Sequence, residues 1–378
     1  MLRSWPIVAV AFLSACTQLE SAHHKLNLPQ TFFTPGQGGP IPSTDQLSNS
    51  CQSSPDFDVC LFRKNPVAQE GRAISVENLE NFRRFGVKIR GLPNGVHLEN
   101  LWIRVFALSG SRASLLDVRR FKAPLSDQQS YGEQLSAYYW ANRLLEYLQN
   151  QVGAERTPLR GLNVYPDDAF TGYVAKTKSI HLEKTPGRLP KALQADVVTH
   201  LVGQALADAL TDQKLFPASP AQHNDCLQKP HGCCASSLGC SNALASAFGD
   251  YVVGVLFPDS ARLGETLSGQ RQGQSLCGFT RDLSNMASTS AATAFSACSA
   301  KGDVTLMGLW YAGQWWAMRK AALAADPKSA PEIDSLFFEH AKAWRADSTF
   351  QDAKVAAQQV AKNFKNGKYS ALLRQHFP

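Results

Sequence analysis

The spacing of apolar residues predicts several helices in the second half of the chain. Between residues 128 and 150, apolar side chains recur every three or four positions, which is the period of a helix with one buried face. The apolar members of this run are Leu135, Tyr138, Tyr139, Ala141, Leu144, Leu145 and Leu148. Apolar, helix-like composition also predicts helices at 196–210, 242–256, 303–325, 331–346 and 348–364.

A different pattern precedes these helices. Residues 73–125 contain short runs in which apolar and polar positions alternate, and alternation with a period of two predicts strands. The predicted strands are 87–90, 101–108, 162–165 and 179–182. A β-rich N-terminal part followed by a mainly helical C-terminal part predicts the α+β class.

The first residues are typical of an export signal. Arg3 precedes an apolar stretch from Trp5 to Leu13, and the segment ends in Leu-Ser-Ala-Cys, with Cys16 last. Because the stretch is too short to span a bilayer, residues 1–15 are predicted to be a signal peptide. The ending resembles the bacterial lipobox, so we predict that Cys16 carries the lipid that anchors the protein to the membrane. The alternative is a plain secretory signal with a chance cysteine.

A flexible tether is predicted to follow the signal. Residues 16–50 are rich in Pro, Gly, Ser, Thr and Gln, a composition typical of linkers. Thr17, rather than Asp, follows the cysteine; by resemblance to Gram-negative sorting patterns, this favours the outer membrane, facing the periplasm. Beyond the tether we expect a β-rich region at 51–127 and a larger domain at 128–378.

Composition narrows the class of protein further. The chain has 378 residues, of which 44% are hydrophobic and 18% charged, as in an ordinary globular protein with a sizeable core. The net charge of +7 is spread along the chain without a basic run or an RNA-type aromatic motif. Nucleic-acid binding is therefore not predicted.

Eight cysteines remain once Cys16 is set aside, and an even number in an exported chain indicates disulfides. They are Cys51, Cys60, Cys226, Cys233, Cys234, Cys240, Cys277 and Cys298. Proximity favours Cys51–Cys60 and Cys277–Cys298, with the other four pairing among themselves. The alternative is a metal knot that also uses His223 and His231, but the spacing lacks a clean C-x-x-C pair.

Residues 196–210 contain an altered zinc-binding motif. In H-E-x-x-H, two His on one helix face bind zinc and the Glu activates a water. Here His200 stands at the first His position, Leu201 at the Glu position and Gln204 at the second His position. Leu cannot accept a proton, and a neutral amide is a poor zinc ligand. We therefore predict that this helix holds no metal and performs no zinc catalysis.

A second helix carries a similar loss. In Ala-Ser-Ala-Phe-Gly-Asp-Tyr-Val at 245–252, Asp250 and Tyr251 match the end of an N-E-x-x-x-D-Y-F motif, whereas Ser246 replaces its Glu. A third segment, 308–319, has the layout G-x-W-x-x-G-x-x-W with a following Arg.

Together with Asp-Val-Val-Thr-His at 196–200, these segments resemble the gluzincin peptidases, the thermolysin and fungalysin group, over about residues 128–364. In that family the missing Glu is the third zinc ligand. The resemblance implies a zincin-like fold in which the catalytic positions are lost together. It also implies that Asp250, which supports a ligand His in the family, pairs structurally with His200 here.

The resemblance favours a protein without enzymatic activity and without a cofactor. It would bind an envelope protein or a peptide through the inherited cleft, or serve as an assembly factor. Ser246 could instead act as a nucleophile with His200 and Asp250, although no G-x-S-x-G elbow is present.

Further alternatives remain open. A divergent hydrolase could use His223, Asp225 and His231 of the Cys-rich loop. A structural envelope protein could fill the cleft with its own side chains. His200 could be a hydrogen-bonded core histidine, and Asp196 could be the helix N-cap or a partner of the helix dipole.

Overall fold

Most of the strands precede most of the helices along the chain. A computed structural model describes residues 59–61, 85–87, 97–107, 110–113, 131–151, 158–185, 190–216, 241–258, 275–276, 279–289 and 304–377. The strands are β1 (Val59–Leu61), β2 (Phe85–Val87), β3 (Ile103–Val105), β4 (Leu162–Asp168), β5 (Gly172–Val174), β6 (Ser179–Glu183), β7 (Ser275–Leu276) and β8 (Phe279–Thr280). The helices are α1 (Tyr131–Gln151), α2 (Ala195–Leu210), α3 (Ser241–Leu256), α4 (Leu283–Met286), α5 (Val304–Ala325), α6 (Ala330–Ala341), α7 (Phe350–Asn363) and α8 (Ser370–His376).

Four strands form one mixed sheet in the order β3-β4-β6-β5. Strand β4 runs parallel to both β3 and β6, and helix α1 connects β3 to β4 along the chain. Strand β5 is antiparallel to β6, with Tyr173 opposite Ile180. Among the described strands, β5 is paired on one side only and so forms an edge of the sheet.

One face of the sheet belongs to the core. Ile103, Val164 and Ile180 lie at alternating positions of neighbouring strands, and all three are fully buried. Helices α1 and α2 pack on the sheet. The period of two that predicted strands therefore reflects a sheet with one apolar face against helices.

Two glycines allow α2 and α3 to approach closely. A Cβ added at Gly249 would lie 2.5 Å from His200 Nδ1 and 2.6 Å from the His200 carbonyl oxygen. A Cβ added at Gly203 would lie 2.8 Å from Gly249 Cα. Because no side chain separates the two helices here, residues of α3 come within hydrogen-bonding distance of His200.

A buried polar cluster joins four of the helices. Asp334 of α6 accepts hydrogen bonds from the hydroxyls of Tyr147 in α1 and Tyr251 in α3, each at 2.5 Å. Arg319 of α5 donates from Nε to Asp334 Oδ1 at 2.9 Å. The Asp334 side chain is wholly buried, so these donors replace the water that its carboxylate would otherwise require.

The predicted α+β class is confirmed, although helix α1 lies between β3 and β4 and the short strands β7 and β8 follow α3. The five helices predicted from residue 128 to 325 and from 348 onward appear with ends shifted by a few residues where these are described. The helix predicted at 331–346 is wrong in extent, because it ends at Ala341. Its continuation is a turn in which Arg345 N–H donates to Ser348 Oγ, and Thr349 then caps α7 through a reciprocal bond with Asp352.

Other predicted features lie outside the described residues. They include the signal peptide, Cys16, the tether, the Cys-rich loop with His223, Asp225 and His231, and the side chains of all eight disulfide candidates. These stay predictions. Within the described ranges, none of the helices has both the length and the apolar character needed to cross a membrane.

Candidate functional site

Helix α2 begins one residue before Asp196. Gln194 occupies the N-cap position, so the expectation that Asp196 is the N-cap is wrong. Asp196 lies instead in the first turn, where a carboxylate interacts favourably with the positive end of the helix dipole. One turn further on, His200 is 7% exposed and faces α3.

His200 and Asp250 form a direct pair between α2 and α3. The distance from His200 Nδ1 to Asp250 Oδ1 is 3.0 Å, and both side chains are buried. This contact confirms the predicted structural pair. Because Asp250 accepts at Nδ1, the proton of a neutral His200 resides on that nitrogen and the Nε2 lone pair faces the other way.

Gln204 engages that second nitrogen. Its Nε2 lies 3.1 Å from His200 Nε2, one helical turn along the same face of α2. With the proton on Nδ1, the Gln204 amide donates and His200 Nε2 accepts. The nitrogen that would coordinate a metal in H-E-x-x-H is therefore used in a hydrogen bond within the helix.

Arg281 is a further member of the site. Its Nη2 donates to Asp250 Oδ1 at 2.8 Å, and its Nε lies 3.2 Å from the same oxygen. The same Nη2 is 3.4 Å from both ring nitrogens of His200. An in-plane approach at these distances would clash with Cε1, so the guanidinium lies over the face of the imidazole.

The charges in this site follow from burial and from Arg281. Burial lowers the pKa of His200, the Arg281 charge lowers it further, and Asp250 acts in the opposite direction. Burial raises the pKa of Asp250, but Arg281 and His200 outweigh that effect and leave it below its ordinary value. The site therefore contains a neutral imidazole between an ionised carboxylate and a guanidinium.

The remaining motif positions are buried without catalytic contacts. Leu201 is part of the apolar core. Ser246 lies on the same face of α3 as Asp250, and its Oγ is buried without a hydrogen-bond partner among the described residues. His200 bonds to Asp250 and Gln204 rather than to Ser246, so the hydrogen bond that a Ser/His/Asp nucleophile needs is not formed here.

Zinc does not fit these residues. A catalytic zinc takes three protein ligands and an open position, and of the three ligand positions in the motifs only the first, His200, carries a side chain that binds zinc. The Nε2 atom of His200, the one that a metal would need, is already hydrogen-bonded to Gln204. Among the described residues, no three His, Cys, Asp or Glu side chains come together in a way that could hold a metal ion.

Sequence reasoning missed Arg281 and the close approach of the helices. Arg281 follows β8, and no motif links it to α2 or α3. The glycines did leave a signal, because an isolated glycine inside a helical pattern often marks a close contact. Gly203 and Gly249 each lie next to a motif residue and identify the crossing point of the two helices.

The chain is similar to a solved structure described as the precursor of protealysin, a metalloproteinase from Serratia proteamaculans. The sequence identity is 12% and the TM-score 0.48, over 74% of this chain and 86% of that chain. No protein-family model and no curated protein matches the chain. Similarity at this level carries no inference about activity, and the roles of α2 and α3 rest on their own contacts.

Proposed function

We propose that this chain is a non-catalytic, zincin-like lipoprotein of the bacterial envelope that binds a protein or peptide partner or acts as an assembly factor. The hydrogen bond between Gln204 Nε2 and His200 Nε2 carries the loss of catalysis, because it uses the lone pair that a metal would need. Leu201 offers no proton acceptor beside it. The groups that remain are suited to holding α2 against α3.

Metal content of the full-length protein tests this loss. After dialysis against trace zinc, the protein should retain less than about a tenth of an equivalent, because one imidazole binds zinc far more weakly than a three-ligand site. Stoichiometric zinc that disappears in His200→Ala would overturn the proposal. Peptide hydrolysis should be no faster for the native protein than for the same variant.

The edge of the sheet supports peptide binding. Strand β5 pairs with β6 on one side, and its residues Gly172, Tyr173 and Val174 are partly exposed. A strand edge can bind an extended peptide through main-chain hydrogen bonds. Helix α2 contacts β5, so a peptide added to this edge would run beside the helix that carries His200.

A photoreactive amino acid placed at Val174 tests this surface in intact cells. Crosslinks to a discrete envelope partner should form from position 174 and not from Val355, which is 52% exposed on α7 and serves as the matched control. A synthetic peptide with the partner's crosslinked segment should then compete. Equal crosslinking from both positions, or none from 174, would contradict binding at the edge.

The lipid anchor is tested separately. Cys16→Ser should abolish incorporation of radiolabelled palmitate and release the chain into the soluble periplasmic fraction, because acyl chains provide the predicted attachment. A variant that remains attached to the outer membrane without label would contradict anchoring through Cys16. This result would leave the zinc and crosslinking tests unaffected.

A further inference from the structure

The face of the sheet that points away from the apolar core carries a chain of polar side chains. Along β6, Ile180 and Leu182 are fully buried, so Ser179 and His181 project to the opposite face. Asp168, at the end of the neighbouring strand β4, lies beside His181. These residues are separated from the His200 site by the sheet itself.

Three hydrogen bonds connect these side chains in a row. Asp168 Oδ2 lies 2.7 Å from His181 Nδ1, and His181 Nε2 lies 2.8 Å from Ser179 Oγ. Ser179 Oγ in turn lies 2.6 Å from Thr177 Oγ1. The first two contacts join the same atoms, in the same order, as a Ser-His-Asp triad.

The positions of the protons along this row follow from the charge of Asp168. Burial raises the pKa of Asp168, but hydrogen bonds from His181 and from the Ala169 amide outweigh it and keep the carboxyl below its ordinary pKa. An ionised Asp168 accepts from Nδ1 of His181, so Nε2 accepts from Ser179. Thr177 Oγ1 also lies 3.4 Å from the Val174 carbonyl oxygen, but its hydroxyl donates over the shorter distance to Ser179 Oγ.

Aromatic rings hold the imidazole in this orientation. Tyr165 stacks on His181 with centroids 5.0 Å apart and planes within 14°, and Phe170 stacks at 4.5 Å and 22°. Because both rings stack on the imidazole, tilting its plane away from this orientation would weaken both contacts. The base of the row is therefore fixed in position before any substrate arrives.

The exposed end of the row is Thr177. Ser179 is 1% exposed, so no substrate reaches its hydroxyl directly. Thr177 is exposed and ends a short 3₁₀ turn. The next residue, Lys178, has φ 48° and ψ 54°, a left-handed conformation that is costly for a residue other than glycine.

We propose that Asp168, His181 and Ser179 activate the Thr177 hydroxyl as a nucleophile toward carboxylic esters. The Thr177 Oγ1–acyl carbon bond forms as its proton passes to Ser179 Oγ, and the Ser179 proton passes to His181 Nε2. The leaving alcohol takes a proton back through the same row as its bond to the acyl carbon breaks. Water then cleaves the acyl-threonine by the same proton path. The proposed function concerns the loss of catalysis at the His200 site, whereas this activity belongs to separate residues and does not depend on it.

Diisopropyl fluorophosphate tests the nucleophile on the full-length protein. The Thr177 Oγ1–phosphorus bond should form as the phosphorus–fluorine bond breaks, releasing fluoride, and peptide mass spectrometry should locate the adduct on residue 177. Thr171 is the matched control, since it is an exposed threonine near the same sheet whose hydroxyl accepts a backbone N–H instead. Hydrolysis of p-nitrophenyl acetate, measured in parallel, should depend on the same residue.

Variants separate the relay from a merely structural role. Thr177→Ser should keep the adduct and Thr177→Val should lose it, whereas His181→Gln should slow labelling by about 100-fold, the usual size of a general-base contribution. Circular dichroism identifies any variant that fails to fold. Absence of an adduct on Thr177 in the folded native protein, or equal labelling of Thr171, would overturn the proposal.

Discussion

Asp250 Oδ1 lies 3.0 Å from His200 Nδ1, although within the described part of the chain no second histidine or glutamate completes a metal site around that ring. In a metal site, such a carboxylate orients the ligand histidine from outside the coordination sphere. Here the same contact joins two helices, and Arg281 donates from Nε and Nη2 to the same oxygen of Asp250. The pair is therefore part of the buried contact between α2 and α3.

The two helices should hold zinc when the three missing motif residues are introduced. In the triple variant Leu201→Glu, Gln204→His and Ser246→Glu, we expect close to one equivalent of zinc, since a site with three protein ligands retains the metal through dialysis. The physical reason is that Gln204 already ends 3.1 Å from His200 Nε2, so an imidazole at this position faces the same space. Elemental analysis measures the outcome.

The matched control for this restoration is the same triple variant with His200→Ala. It should lose the zinc while retaining its helical circular dichroism. A folded triple variant that binds no more zinc than the native chain would show that α2 and α3 are not arranged as in a zincin site.

Gly249→Ala should destabilise the protein. The added Cβ would meet His200 Nδ1 at 2.5 Å and the His200 carbonyl at 2.6 Å, and the backbone carbonyl cannot move away without shifting α2. We expect a loss of about 3 kcal/mol in the free energy of unfolding, the upper part of the usual range for overpacking. At Gly172 an added Cβ meets Phe170 at 3.7 Å, so Gly172→Ala should be nearly neutral in the same urea titration.

The sequence predicted the site residues on α2 and α3 because their motifs have fixed helical spacing. Gln204 follows His200 by four residues, and Asp250 follows Ser246 by four, which places each pair on one helix face. The pairing of His200 with Asp250 was also predictable, through the resemblance to a peptidase family. Arg281 was not, because its contact joins positions 31 residues apart that no local pattern links.

In the fold, too, elements with a local sequence pattern were predicted, whereas features that depend on contacts between distant residues were not. Long helices were predicted close to their observed ends, α1 from the spacing of its apolar residues and α5 from its long apolar composition. Strand β5 has three residues, and its place in the sheet depends on pairing with β6 rather than on its own composition. Helix α6 ends at Ala341 although apolar residues continue, because the Ala343 and Trp344 N–H groups bond three residues back, to His340 and Ala341, and so form a turn.

Arg281→Met should be strongly destabilising even though the volume of the side chain is roughly kept. It leaves the buried carboxylate of Asp250 without its cation, and removal of one partner of a buried ion pair costs about 3–5 kcal/mol. The double variant Arg281→Met with Asp250→Asn should recover much of this loss, because no charge then remains buried. Equal losses in the single and double variants, measured by chemical denaturation, would contradict the role assigned to the pair.

Two buried groups should give opposite pH dependences of stability. Burial lowers the pKa of His340 to about 3, so below pH 6.5 the unfolded chain takes up a proton that the folded chain refuses, and stability falls by about 1.4 kcal/mol per pH unit. Burial raises the pKa of Glu146 to about 7, so between pH 7 and 4.5 the folded chain holds the extra proton and stability rises as pH falls.

In the native protein these slopes oppose each other between about pH 4.5 and 6.5, the range set by the two unfolded-state values. His340→Phe should therefore make the protein relatively more stable on acidification from pH 7 to 5, and Glu146→Gln relatively less stable. Urea titrations at pH 7, 6 and 5 measure both differences, and parallel curves for the two variants would show that neither group has the shifted pKa.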